Sequence, residues 1–219
     1  MDIEKIDELV SASEDDELEM ADFNKIAEVC LIGLAAYFEA YCKNQFAALI
    51  NICPQLLENF TVKRENVTIN LKDIISMSTT IDYRLGCLLA EEYDFGSAKT
   101  INNLFFDLMG ITLFSRKEAK RYGEFLEDRN LLVHHGGIYT LKYRQRFQSK
   151  PDHSAVHWNS LIIGKRDFQK WSKFIHDLVK KINAASHRAL EEFLKTQGID
   201  LPDGAKRATE MLIYEDLVR

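Results

Sequence analysis

Between Phe23 and Ile50, apolar side chains return every three or four residues, through Ile26, Ala27, Cys30, Leu31, Leu34, Phe38, Cys42, Phe46 and Leu49, and no proline interrupts before Pro54. A helix turns about 100° per residue, so this spacing lays a continuous apolar stripe along one side of a single helix. The stripe predicts a helix from about Leu18 to Ile52 that serves as a core or dimer helix. Three prolines and ten glycines in 219 residues leave few breaks elsewhere, and 46% hydrophobic residues supply a core large enough for one domain to fold on its own. The expected fold class is all-α.

Further helices follow from the same reading. A polar turn in TVKRENVTINLKDIISM is expected to lead into a helix near Asn70, with others at Ile81–Glu92, from an N-cap at Ser97 to Met109, and from Ser115 to about His134. Gly136-Gly137 ends that pattern. IYTLKYRQRF then alternates apolar and polar residues as a strand does, with HSAVHWNSLIIG as its partner, so a short β-hairpin is expected before the last long helix. That helix runs from Lys165 to Gly198 and packs back on the first. The chain divides into an acidic arm at 1–17, a helical domain at 18–198 and a tail at 199–219, a short amphipathic helix or a flexible end.

Four cysteines, Cys30, Cys42, Cys53 and Cys87, show no CxxC spacing and lie in apolar helical sequence, which argues for small buried hydrophobes rather than disulfides or zinc. The acidic start MDIEKIDELV lacks a basic leader, and the most apolar run, Val29–Phe38, is far short of the roughly 20 residues of a membrane span. A reduced, cytoplasmic protein without membrane contact is expected. No glycine-rich phosphate loop and no GxSxG appears, so nucleotide hydrolysis and serine hydrolase chemistry have no support.

The net charge of −6 is unevenly spread. Residues 1–20 hold nine acidic side chains against Lys5 alone, whereas Ser115–Lys150 hold nine basic against four acidic. The basic region is either a solvated face or a footprint for a polyanion. The acidic arm is a solubilising tail or a segment that restrains the basic region in cis.

Inside that region lies LEDRNLLVHHGG, Leu126–Gly137. Arg129 has Phe125, Leu126, Leu132 and Val133 three and four residues away, so no carboxylate on its own helix neutralises it. Its anion is a carboxylate of another helix or a ligand. Asn130 and His134 are four apart and share a face, where the amide can hold the imidazole in one tautomer. Arg129 and His134 are five apart, about 140° around an ideal helix, and meet only if the helix end distorts or a second subunit closes the site. RNA carries its own nucleophile, the 2′-hydroxyl. Cleavage then needs a base, an acid for the 5′-oxygen and a cation for the phosphorane, roles that histidine and arginine fill without a metal.

The run Arg129-Asn130-Leu131-Leu132-Val133-His134 resembles the signature of HEPN ribonucleases, an arginine and a polar residue followed at short spacing by a histidine. AYFEAYCKNQFAALI, LKDIISM, LLAEEYDFGS and VHHGGI are similar to the MAE-type and RiboL-PSP branches of that superfamily, over about Leu18 to Gly198. The resemblance implies a HEPN-like helical bundle, an obligate homodimer with a composite cleft, and metal-independent endonucleolytic RNA cleavage leaving 2′,3′-cyclic phosphate ends. It implies Arg129 as phosphate clamp, His134 as general base or acid and Asn130 as polar companion, in a toxin or antiphage defence effector. One branch continues His-x-Tyr, and here Gly136 stands at the tyrosine position, so regulation through that tyrosine is not implied. Many members of the superfamily are inactive, so the alternative is a catalytically silent HEPN dimer acting as a binding or regulatory partner.

Lys142, Arg144 and Arg146 interleave with Tyr143 and Phe147 and suit an RNA strand, tRNA included, through phosphate contact and base stacking, with Arg121 as a further cation. An exposed basic strand is the plainer reading. An antitoxin or regulatory protein is a further expected partner. His153 and His157 are four apart but have no Glu or Cys at ligand spacing, so neither a metal nor another cofactor is expected.

Overall fold

The structure, a computed structural model, describes residues 25–64, 67–69, 71–76, 84–147 and 160–211. It is all-α. In chain order the helices are α1 (Lys25–Ile52), α2 (Leu56–Lys63), α3 (Leu71–Ser76), α4 (Leu85–Glu91), α5 (Ala98–Met109), α6 (Arg116–His135), α7 (Leu141–Phe147), α8 (Lys165–Gln197) and α9 (Asp203–Met211). The acidic arm, residues 18–24 of the expected first helix, and His153 and His157 lie outside the described residues.

The chain forms two compact units, each discontinuous in sequence. One comprises the described residues between 39 and 119 together with 178–211. Phe46 of α1 is its packing centre, in edge-on contact with Phe60 at 5.6 Å, Phe95 at 5.7 Å and Phe105 at 5.8 Å between ring centroids. Such edge-to-face rings add to the burial of large apolar area. Gly86 lets α4 approach α1, because a Cβ there would lie 2.0 Å from the Ala47 carbonyl oxygen. The approach is fixed by the Gly86 N–H, which donates to Asn51 Oδ1 at 2.7 Å. Asn102 of α5 ties the turn after its own helix: its amide donates to the Phe114 carbonyl at 2.9 Å and accepts from the Phe114 N–H at 2.8 Å. The long last helix packs on the first here, where the Tyr41 hydroxyl donates to Asn183 Oδ1 at 2.6 Å. Burial drives the Tyr41 phenol pKa far up, so it stays a neutral donor.

The other unit comprises, among the described residues, 25–38, 120–147 and 160–177. Its aromatic chain runs Phe38, Tyr122, Phe125, Trp171, Phe174, with successive centroids 5.3, 6.0, 5.3 and 6.0 Å apart. Tyr122 and Phe125 are fully buried and hold the inner face of α6 in place.

Two expectations are corrected. The expected hairpin is absent from the described residues: 141–147 are the helix α7, and a single antiparallel bridge between Ile138 and Ser160 is what remains of strand pairing there. The polar turn after Pro54 begins later than expected, because Thr61, Val62 and Lys63 complete α2, with Thr61 Oγ1 donating to the Leu57 carbonyl. Ser97 caps α5 as expected, its hydroxyl accepting from the Thr100 N–H. Cys42 and Cys53 are buried, but Cys87 is exposed.

Candidate functional site

The site residues lie on α6 and α7. At the start of α6, Ser115 and Glu118 cap each other: the Ser115 N–H donates to the Glu118 carboxylate and the Glu118 N–H to the Ser115 hydroxyl. Lys181 of α8 binds the same carboxylate. Burial alone would raise the Glu118 pKa, but the bonds from Lys181 and Ser115 outweigh it and hold the carboxyl below its ordinary value.

Further along, Leu131 and Leu132 turn inward, Arg129 is half-buried, and Asn130, His134 and His135 are exposed. The Arg129 side chain makes no ion pair or hydrogen bond with another described residue. Its neighbour Asp128 is committed elsewhere, accepting from the Tyr143 hydroxyl at 2.7 Å. Within the described residues, then, this guanidinium is partly desolvated without an anion, an arrangement that suits a ligand's phosphate.

α6 stays α-helical through His135. Arg129 and His134 are therefore on different sides of one chain's helix, about 140° apart, while Asn130 and His134 share a side. Distortion of the helix end does not bring arginine and histidine together. The helix stops at two consecutive left-handed glycines, Gly136 at φ 57° and Gly137 at φ 82°. The Gly137 N–H reaches back to the Leu131 carbonyl at 3.0 Å, and the Gly137 carbonyl accepts from the Leu161 N–H at 2.7 Å. A Cβ at Gly137 would also press on the Leu161 carbonyl at 3.2 Å. Glycine at both positions thus fixes the termination immediately after the two histidines, where the carbonyl ends of the helix favour positive charge.

Thr140 caps the start of α7, its hydroxyl accepting from the Tyr143 N–H at 3.1 Å. Tyr143 is 4% exposed and stacks on Tyr139 at 5.3 Å, so its ring is not a surface for a base as the interleaved pattern had suggested. Burial first, then the Asp128 carboxylate, push its phenol far above the ordinary tyrosine value. Lys142 and Arg144 are exposed, and Arg146 belongs to the same helix. Arg121, exposed at its edge, lies flat against α8, its guanidinium carbon 4.4 Å from the Phe174 ring centroid and 5.7 Å from that of Trp171. Among the described residues no three His, Cys, Asp or Glu side chains converge as a metal site would require, and no helix is long and apolar enough to cross a membrane.

The Asp128–Tyr143 hydrogen bond is not among the sequence expectations. Local spacing marks the helix and not the bond: Tyr139 and Tyr143 are four apart around Thr140, a step that fits a helix rather than a strand. Comparison with protein-family models, with curated proteins and with solved structures finds no match.

Proposed function

We propose that this chain is a metal-independent RNA endonuclease of the HEPN type, acting in the cytoplasm as a toxin or antiphage defence effector through a site shared by two copies. The observation that carries this reading is Arg129: half-buried, with no anion among the described residues, one residue before the exposed Asn130 and five before the exposed His134. A phosphate supplies the missing charge. In this reading Arg129 clamps the scissile phosphate, His134 moves a proton to or from the ribose or the leaving oxygen, and Asn130 holds its ring. Lys142 and Arg144 on α7, with Arg146 and the outer edge of Arg121, contact the flanking strand by phosphate attraction. tRNA is a suitable substrate class, and an antitoxin or regulatory protein would act by covering this end of α6.

The separation of Arg129 from His134 around one helix is the reason the reading needs a second copy, which supplies the group that one chain turns away. The same separation favours a second reading, a silent dimer that binds RNA or protein at this surface without cutting. Substitution distinguishes them. Arg129→Ala and His134→Ala each reduce cleavage by at least about 100-fold while leaving the helical spectrum and the mass in solution unchanged, if one clamp and one proton carrier are lost. Wild-type protein that binds RNA and leaves it intact supports the silent dimer.

A further inference from the structure

α8 buries one side through Phe168, Ile175, Leu178, Ile182 and Leu190. The side turned away from them is cationic. From Lys165 to Arg188 the helix carries seven basic side chains against Asp167 and Asp177, an excess equal to the one between Ser115 and Lys150. On helical geometry Arg166, Lys170, Lys173, Lys180, Lys181 and Arg188 fall within an arc of about 100°, opposite the buried residues. All six are exposed. Because α8 is one uninterrupted helix, its rise per residue alone sets them out as a straight row about 33 Å long.

Few of these charges are neutralised. The side chains of Arg166, Lys173 and Lys180 make no ion pair or hydrogen bond with another described residue. Lys170 meets Asp167 at 3.3 Å, but both are open to water, where such a pair is worth little. Lys181 is committed to Glu118. Arg121 of α6 joins the row from the side, its guanidinium lying on Phe174 and donating to the Lys170 carbonyl at 3.5 Å. α8 presents no large apolar side chain to solvent. A helix that enters a membrane surface needs such side chains, a protein interface needs aromatic anchors, and a single-strand binder needs rings on which unpaired bases stack. A straight row of cations without them matches a regular line of phosphates on a stiff backbone, as a base-paired helix holds them.

We propose that the outer face of α8, from Arg166 to Arg188 with Arg121 beside it, binds the phosphate backbone of base-paired RNA. That the duplex is RNA rests on the nuclease reading; that a duplex binds here rests on the charge and form of α8. Contacts of this kind position a nucleic acid and carry no sequence information. The row therefore holds a folded RNA by its stem, whichever residues cut it. Asp177 lies within the same arc, is exposed, and weakens the row.

Fluorescence anisotropy of the full chain with a labelled RNA duplex of about 16 base pairs, in EDTA over a salt series, tests it. Wild type binds the duplex, and its affinity falls steeply with salt. The triple variant Lys170→Gln, Lys173→Gln, Lys180→Gln binds at least about 10-fold more weakly in low salt, and its slope of log affinity against log salt is smaller by about two to three. Its helical circular dichroism is unchanged, because all three side chains are exposed. Asp177→Asn acts in the opposite direction and tightens binding, which damage to the fold would not do. A wild type that leaves the duplex unbound in low salt, or a triple variant with wild-type affinity and slope, overturns the proposal. Equal affinity for single-stranded RNA or for duplex DNA of the same length overturns it too. RNA cleavage by the same proteins separates the two claims: wild type that binds the duplex through these lysines and cuts no RNA upholds this surface and contradicts the nuclease, whereas a triple variant that binds and cuts as wild type does contradicts this surface alone.

Discussion

Asp128 and Arg129 are adjacent, oppositely charged and differently engaged. The carboxylate is held by the buried Tyr143 hydroxyl at 2.7 Å, and the guanidinium is left without a described partner. That division matters physically, because a carboxylate turned onto Arg129 would occupy the place of a phosphate. Tyr143→Phe removes the hydrogen bond while keeping the ring that stacks on Tyr139. A bond to a charged group lost in this way lowers stability by about 1–3 kcal/mol, measurable by urea denaturation. An unchanged unfolding midpoint would show that the bond contributes nothing. The four-residue logic of a helix made Arg129, Asn130 and His134 legible in the sequence, because it needs only local spacing. The Asp128–Tyr143 bond joins residues fifteen apart on two helices, and nothing in local spacing encodes it.

At the scale of elements, helix ends were easier to read than the segments between them. Pro54, Ser97 and the glycine pair at 136–137 act through backbone chemistry that is the same in any fold, and the boundaries of α1, α5 and α6 fall beside them. α7 was misread because IYTLKYRQRF satisfies a two-residue alternation and a four-residue step at once. The Thr140 cap, the Tyr139 stack and the bond to Asp128 decide for the helix. α6 carries a pH signature at its other end. Glu118, whose carboxyl is held below its ordinary value of 4.5, stabilises the folded chain above that value. This contribution is lost as pH falls through the lowered folded-state value. In Glu118→Gln the difference from wild type is therefore largest near neutrality and shrinks in acid, as thermal midpoints measured between neutral and strongly acidic pH will show. A difference that grows in acid would contradict the bonding described at Ser115 and Lys181.

For the whole molecule, the abundance of apolar residues at helical spacing made the all-α class readable, whereas the two compact units were not. Each unit is assembled from separated parts of the chain, with α1, α6 and α8 each contributing to both. A sequence pattern reports which face of a helix is apolar and is silent about which neighbour covers it. Charge follows a similar logic: the net −6 conceals the basic run from Ser115 to Lys150, which carries the proposed RNA contacts. The central claim is metal-independent RNA cleavage by Arg129 and His134, and it is tested most directly by incubating wild type and His134→Ala with end-labelled tRNA and total RNA in EDTA and resolving the 3′ ends of the products. The account predicts fragments ending in 2′,3′-cyclic phosphate from wild type and none from His134→Ala. Intact RNA with wild type, or cleavage that persists in His134→Ala, would contradict it.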